Sequence, residues 1–289
     1  MQRESEMPFE LTKRQRIVHL TSTSFQEQPV NTSTPKVALV TGGSRGIGRA
    51  TALELARQGH FVIVHYRADQ AAANATLDAI RSAGADGFAV SADLTSSEGI
   101  SQLFKVVDAE LTQRGLAAQL DVLVNNAGVA DGGTLESTSV ELFDRQFSLN
   151  VRAVFFTTQE ALKRMSSGAR IINLSSVLSS RVFETAGGFS AISAYAAAKA
   201  AVDALTRHWA VELGPRGILV NAVAPGPVDT DMNASWLRTD EGKAVMTAAS
   251  PLGRVGGPED IAGVIAFLAG TGSQWTTGQV IDASGGYRL

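Results

Sequence analysis

The chain contains no cysteine. That absence removes disulfides, thiol nucleophiles and thiolate metal sites together, and it leaves the redox compartment open. Histidine is scarce: His19, His60, His65 and His208 show no H-E-x-x-H or other ligand spacing. Each reads as a surface or packing residue, and no metal is expected. No uninterrupted apolar run reaches membrane-spanning length. A large excess of either charge is lacking too. The net charge of -3 and a pI near 5.8 argue against nucleic acid or an anionic membrane as the main partner.

What is present is ordinary for a globular chain with a sizeable core: 289 residues, 44% hydrophobic and 18% charged. The first 35 residues stand apart, rich in Ser, Thr, Gln and charge, with no apolar core resembling a secretory signal. They read as a flexible extension of residues 1–35, with Met7 as an alternative start, and a cytoplasmic location is expected.

From Lys36 short apolar runs alternate with longer helical stretches. "KVALVT" (36–41), "FVIVHY" (61–66), "GFAVSAD" (87–93), "LDVLVNNAG" (120–128), "ARIINLSS" (169–176), "ILVNAVAPG" (218–226) and the end of "GQVIDASGG" read as strands. Helices are expected near 69–83, before Leu120, through Asn150 to Met165, up to about Leu213, and from Pro258 to about Leu268. The stretch before Pro258 reads only as polar. Strand–helix alternation implies an α/β fold: one doubly wound parallel sheet of about seven strands, helices on both faces, spanning residues 36–289. Ligands bind such sheets beyond the carboxyl ends of the strands.

Every notable motif falls at one of those ends. "TGGSRGIG" (Thr41–Gly48) joins the first strand to the first helix. Its glycines permit a tight turn, and the helix N-terminus offers free N–H groups to a pyrophosphate. The spacing is neither G-x-G-x-x-G nor a Walker loop. Farther on, "SAISAYAAAKAAVDAL" (190–205) is alanine-rich and therefore helical, so Tyr195 and Lys199 stack one turn apart on one face.

Thr41-Gly42-x-x-x-Gly46-x-Gly48, Asn125-Asn126-Ala127-Gly128, Asn150, Ser176, Tyr195-x-x-x-Lys199 and Pro225-Gly226 occur in the order seen in short-chain dehydrogenases/reductases. The chain resembles that family from Lys36 to its end. It is most similar to the branch with 3-oxoacyl-(acyl-carrier-protein) reductases and bacterial carbonyl reductases. The resemblance implies an NADPH-dependent oxidoreductase that transfers hydride to a ketone or 3-oxoacyl carbonyl. Tyr195 would be the general acid and Lys199 would favour its phenolate and hold the nicotinamide ribose. Ser176, or the neighbouring Ser175, would hydrogen-bond the carbonyl oxygen. Asn150 would hold a water linking Lys199 to solvent, a role compatible with its being a helix-bending polar residue bonded to backbone.

The same resemblance assigns the dinucleotide to Gly42, Ser44, Arg45, Gly46, Ile47 and Gly48 in the glycine turn and to Asn126, Ala127 and Gly128 after the fourth strand. Asp93 and Leu94 would meet adenine, while Pro225, Gly226, Val228 and Thr230 would border the nicotinamide carboxamide. The end of the second strand carries Tyr66 and Arg67 where an NADH-selective enzyme places a carboxylate. Arg45 and Arg67 suit a 2′-phosphate, so NADP(H) is expected over NAD(H). An alternative is an NAD(P)-linked alcohol or sugar dehydrogenase working oxidatively, and another is a catalytically weak dinucleotide-binding regulator.

Ser176 and Tyr195 are farther apart than is usual in that branch, which implies a longer loop around "RVFETAGGF" beside the substrate mouth. Arg207 and Arg216 are the candidate contacts for an acidic carrier protein, but Ser166 and Ser167 stand where a basic residue is common. Small-molecule substrates are therefore expected. The helices around Asn150–Met165 and Ser193–Leu213 are apolar enough to bury a second face, as in homotetramers of the family.

Overall fold

Val37–Val40 is apolar at every position and buried on both sides, as a central parallel strand must be. It is β1 of a computed structural model that describes residues 34–182 and 192–288. Most of the "RVFETAGGF" loop lies outside the described residues, as do residues 1–33. The chain continues through α1 (Gly46–Arg57), β2 (Phe61–Tyr66), α2 (Gln70–Ser82), β3 (Gly87–Ser91), α3 (Ser97–Gln113) and β4 (Val122–Asn125). Then follow α4 (Val140–Phe147), α5 (Ala153–Ala161), β5 (Arg170–Leu174), α6 (Ser193–Leu213) and β6 (Leu219–Pro225). Last come α7 (Ala234–Leu237), α8 (Asp240–Ala248), α9 (Pro258–Ala269) and β7 (Val280–Ala283).

The strands form one seven-stranded parallel sheet in the order β3-β2-β1-β4-β5-β6-β7. Side chains alternate faces along each strand. Val37 and Leu39 therefore join one core with α3, α5 and α6, while Ala38 and Val40 join another with α1, α2 and α9. The Rossmann-type doubly wound architecture is the one expected from the alternating pattern.

Two local expectations need correction. The stretch before Pro258, for which no element was expected, holds α7 and α8. Thr239 caps α8 by accepting from the Gly242 N–H at 3.0 Å, and Asp240 and Glu241 sit in its first turn. Leu237 and Met246 from these short helices pack on Tyr287 in a small third core. The helical region around Asn150 begins earlier, where Ser139 caps α4. Between α4 and α5 it passes through a π-helical segment, Ser148–Arg152.

A buried polar ladder ties the middle of the sheet to α5 and α6 of one layer. The Asn125 amide of β4 donates to Thr158 of α5 and to the Asn173 carbonyl of β5, each at 2.9 Å. Asn173 in turn donates to Thr206 of α6 at 2.9 Å, and the Thr206 hydroxyl donates to the Val202 carbonyl at 2.8 Å. All four side chains are buried, so each bond that is lost leaves a polar atom away from water. Asn173→Ala is expected to cost about 2–4 kcal/mol in unfolding free energy, measured by urea denaturation, from two lost bonds and a cavity. A loss below about 1 kcal/mol would show that the ladder contributes little to stability.

Candidate active site

One cleft of about 840 Å³ runs across the carboxyl ends of the strands. Every expected cofactor residue from Gly42 to Thr230 lines it, together with Ser175, Ser176, Tyr195 and Lys199. Asn150 does not. Among the described residues no group of three or more metal-ligating side chains converges.

The floor of the cleft is the turn from β1 into α1. Gly42 and Gly46 adopt left-handed φ values of 63° and 53°, which residues with a Cβ rarely take. Gly48 is constrained differently: a Cβ there would fall 2.2 Å from the Gly42 carbonyl oxygen and 2.5 Å from the Asn126 side chain. α2, α3 and α4 are capped by Asp69, Ser96 and Ser139, but the N-cap of α1 is Arg45 in an extended conformation with no side-chain cap. Its first amides are left for a ligand, and a close-packed glycine turn at an uncapped helix start suits a pyrophosphate. The residues present fit a dinucleotide.

The turn is latched to β4. The Thr41 hydroxyl accepts from the N–H groups of Asn126 (2.9 Å) and Ala127 (3.0 Å) and donates to the Val124 carbonyl (3.2 Å). The Asn126 amide returns two bonds, to the carbonyls of Thr41 (2.8 Å) and Gly42 (3.1 Å).

At the far end of the cleft, Tyr195 stands in the first turn of α6 and Lys199 one turn below it. Lys199 is 4% exposed, and its Nζ donates to the carbonyl of Leu174, the last residue of β5, at 2.6 Å. Nζ lies 5.6 Å from the Tyr195 ring centre. Burial pushes the Tyr195 phenol up to about 12, with the Ser176 hydroxyl beside it acting the other way. Burial also brings Lys199 down to about 8, opposed by the Asp203 carboxylate. Near pH 7 the phenol keeps its proton.

Ser176 faces Tyr195 and also caps the short turn Val177–Ser179, accepting from the Leu178 N–H at 3.2 Å. Ser175 is buried, and its hydroxyl has no partner among the described residues. Asn150 sits in the π-helical segment, a feature frequent at functional sites. Its carboxamide is bonded at both ends: Oδ1 accepts from the Val129 N–H, while Nδ2 donates to the Val129 carbonyl and to Gln146. Asn150 is thus a helix-bending residue bonded to backbone, which is compatible with the water-holding role. Gly128 separates Asn150 from Lys199, since a Cβ on it would lie 2.7 Å from Asn150 Oδ1 and 3.7 Å from Lys199 Nζ.

The sequence model of the family described as "Enoyl-(Acyl carrier protein) reductase" matches residues 42–288. The short-chain dehydrogenase/reductase FrzI of a Cladobotryum species is 42% identical over 87% of this chain and 95% of its own. This chain belongs to the short-chain dehydrogenase/reductase family. Two solved ketoreductases share the fold at similar identity. The promiscuous reductase LugOII, which catalyses keto-reduction at C1 in lugdunomycin biosynthesis, is 41% identical with a TM-score of 0.81, covering 89% of this chain and 99% of its own. The landomycin C-6 ketoreductase LanV, solved with bound NADP and rabelomycin, is 40% identical with a TM-score of 0.77, covering 88% and 96%. As a family member the chain is an oxidoreductase acting on carbonyl or hydroxyl groups.

The end of the cleft expected to take adenosine differs from the sequence reading in one detail. Arg67 approaches a carboxylate after all, with its Nη2 3.5 Å from Asp93 Oδ2. Asp93 Oδ1 accepts from the Thr95 hydroxyl and N–H, which holds the carboxyl below its ordinary range. Arg45 is exposed and forms no ion pair among the described residues.

Sequence reasoning missed the opposite wall. Val177, Leu178, Ile192, Met232, Trp236 and Met246 line the mouth beside Tyr195 and Ser176. Trp236 and Met246 come from α7 and α8, and the Thr239-Asp240-Glu241 cap was the signal that could have revealed them. His65 also lines the cleft and is buried there.

Proposed function

We propose that the enzyme reduces a ketone carried by a planar polycyclic substrate, using NADPH. The observation that carries this reading is the Tyr195 hydroxyl beside Ser176, in the same cleft as the uncapped start of α1. NADPH supplies the hydride. Tyr195 gives its proton to the carbonyl oxygen, and Ser176 donates a hydrogen bond to that oxygen as negative charge develops. Lys199, anchored on the Leu174 carbonyl, presents its ammonium below the phenol and offers a donor to the nicotinamide ribose.

Burial pushes the Tyr195 phenol up, so at neutral pH it holds the proton that reduction of a carbonyl requires. The apolar wall of Met232, Trp236 and Met246 supports an aromatic substrate, and LanV was solved with bound NADP and rabelomycin. Arg216 is occupied by the carbonyls of Leu162 (3.2 Å) and Met165 (3.3 Å), which supports free ketones over carrier-linked ones.

Arg45 and Arg67 at the adenosine end would hold the 2′-phosphate, so NADPH is preferred over NADH. We read residues 1–35 as an extension outside the catalytic domain of 36–289. Among the described residues no helix is long and apolar enough to cross a membrane. We infer a cytoplasmic homotetramer, supported by Phe155 and Phe156 of α5 and Val211 of α6, apolar side chains left exposed on the surface.

A panel of free polycyclic ketones and 3-oxoacyl thioesters, assayed with NADPH and NADH, tests the function. Turnover of the free ketones with NADPH is expected, and Tyr195→Phe is expected to lower it about 10²- to 10⁴-fold while leaving NADPH binding intact. A Tyr195→Phe enzyme with near-normal turnover would remove the acid from the mechanism. Arg45→Ala and Arg67→Ala should each raise the KM for NADPH about ten- to a hundredfold, with little change for NADH. Equal losses for both cofactors would refute the phosphate assignment. Light scattering at assay concentration should read a tetramer, and a stable monomer would refute the assembly.

A further inference from the structure

His65 is the fifth residue of β2, 3% exposed, and its ring sits between two segments of the cleft that belong to different strands. Nδ1 accepts from the Gly42 N–H at 3.1 Å. Nε2 reaches the Ala92 carbonyl, just after β3, at 3.1 Å. The backbone carbonyl of His65 accepts from the Gly43 N–H at 2.8 Å. One residue thus takes up two successive amides of the glycine turn, one with its ring and one with its backbone.

These partners fix the state of the ring. A nitrogen that accepts from an amide carries no proton, and a nitrogen that meets a carbonyl must donate, so the ring is the neutral Nε2–H tautomer. In an imidazolium both nitrogens donate, and Nδ1–H would face the Gly42 N–H. Burial favours the neutral form, bringing the group down to about 4 against the opposing pull of the Asp93 carboxylate. The geometry therefore holds at neutral pH.

The two bonded segments serve opposite ends of the adenosine half of the cleft. Gly42 opens the turn into α1, where the pyrophosphate belongs, and Ala92 precedes Asp93 and Leu94, which line the adenine end. We propose that His65 is a positioning residue for NADPH, its ring fixing the glycine turn to the end of β3 at the spacing the dinucleotide spans. It contacts the reacting atoms nowhere. The inference rests on the reading of the cleft as the NADPH site.

The test begins with the wild-type protein without cofactor. Nitrogen NMR of the His65 ring is expected to show the neutral Nε2–H tautomer at neutral pH, and a charged ring or an Nδ1–H tautomer would overturn the proposal. Two variants then separate positioning from packing. His65→Asn keeps an acceptor near the place of Nδ1, and His65→Leu removes it. In cofactor-free protein, hydrogen exchange at the Gly42 amide should accelerate at least about tenfold in His65→Leu and stay within about threefold in His65→Asn. NADPH Kd from fluorescence titration should rise about tenfold or more in His65→Leu and about threefold or less in His65→Asn. At saturating NADPH, kcat should be unchanged in both. Unchanged exchange or Kd in His65→Leu, equal rises in both variants, or a fall in saturated kcat would overturn the role. Failure of the wild-type protein to bind NADPH would instead overturn the function on which the inference rests.

Discussion

Thr41 and Asn126 hold a crevice between β1 and β4, neighbouring parallel strands whose chains leave the sheet toward opposite layers. No helix can cover the ends of both strands at once, so the top of this pair is where a ligand can enter. The open end exposes backbone that would otherwise lack partners, and the latch supplies them. One hydroxyl accepts two amides, and one carboxamide donates to two carbonyls. The glycine turn can then pass within contact distance of β4 only if Gly48 lacks a side chain. α1 follows with its first amides turned into the crevice. The cofactor end of the site is thus mostly backbone, fixed by the topology of the sheet.

The reacting end is built differently. Its proposed acid and its lysine stand on α6 and Ser176 just after β5, and burial shapes the chemistry of the first two. The same desolvation raises the Tyr195 phenol and lowers the Lys199 ammonium, because in each case it disfavours the charged form. The result is a neutral donor above a cation that stays mostly protonated near pH 7. Lys199 is held in that position by the Leu174 carbonyl, and α6 itself is tied to β5 through Asn173 and Thr206. The ladder and the lysine therefore set the phenol's place relative to the crevice.

Much of this was legible in the sequence because it is local. "FVIVHY" is a strand to the residue, and α6 ends at Leu213 as its alanine-rich pattern suggests. The glycine turn could be placed because a turn between an apolar run and a helix has few other uses. What escaped was decided by partners distant in sequence. The Arg67–Asp93 approach joins two strand ends, and the role of the His65 ring depends on Gly42 and Ala92. The commitment of Asn150 to Val129 needs the π-helical segment, whose sequence carries no turn or breaker signal. α7 and α8 were hidden for a different reason: they are short and gain their stability from packing on Tyr287 rather than from helical periodicity.

These two kinds of construction divide the cleft between constancy and change. The crevice half depends on backbone geometry, glycines and buried polar pairs, where almost any substitution leaves an unpaired group or a clash. The substrate half draws Met232, Trp236 and Met246 from segments that lie outside the sheet and touch its core only through a small cluster of their own. These side chains lie apart from the cores that hold β1, β4 and α6. Substrate choice is therefore free to vary on α7, α8 and the segment before them, while hydride transfer and proton donation stay tied to the sheet.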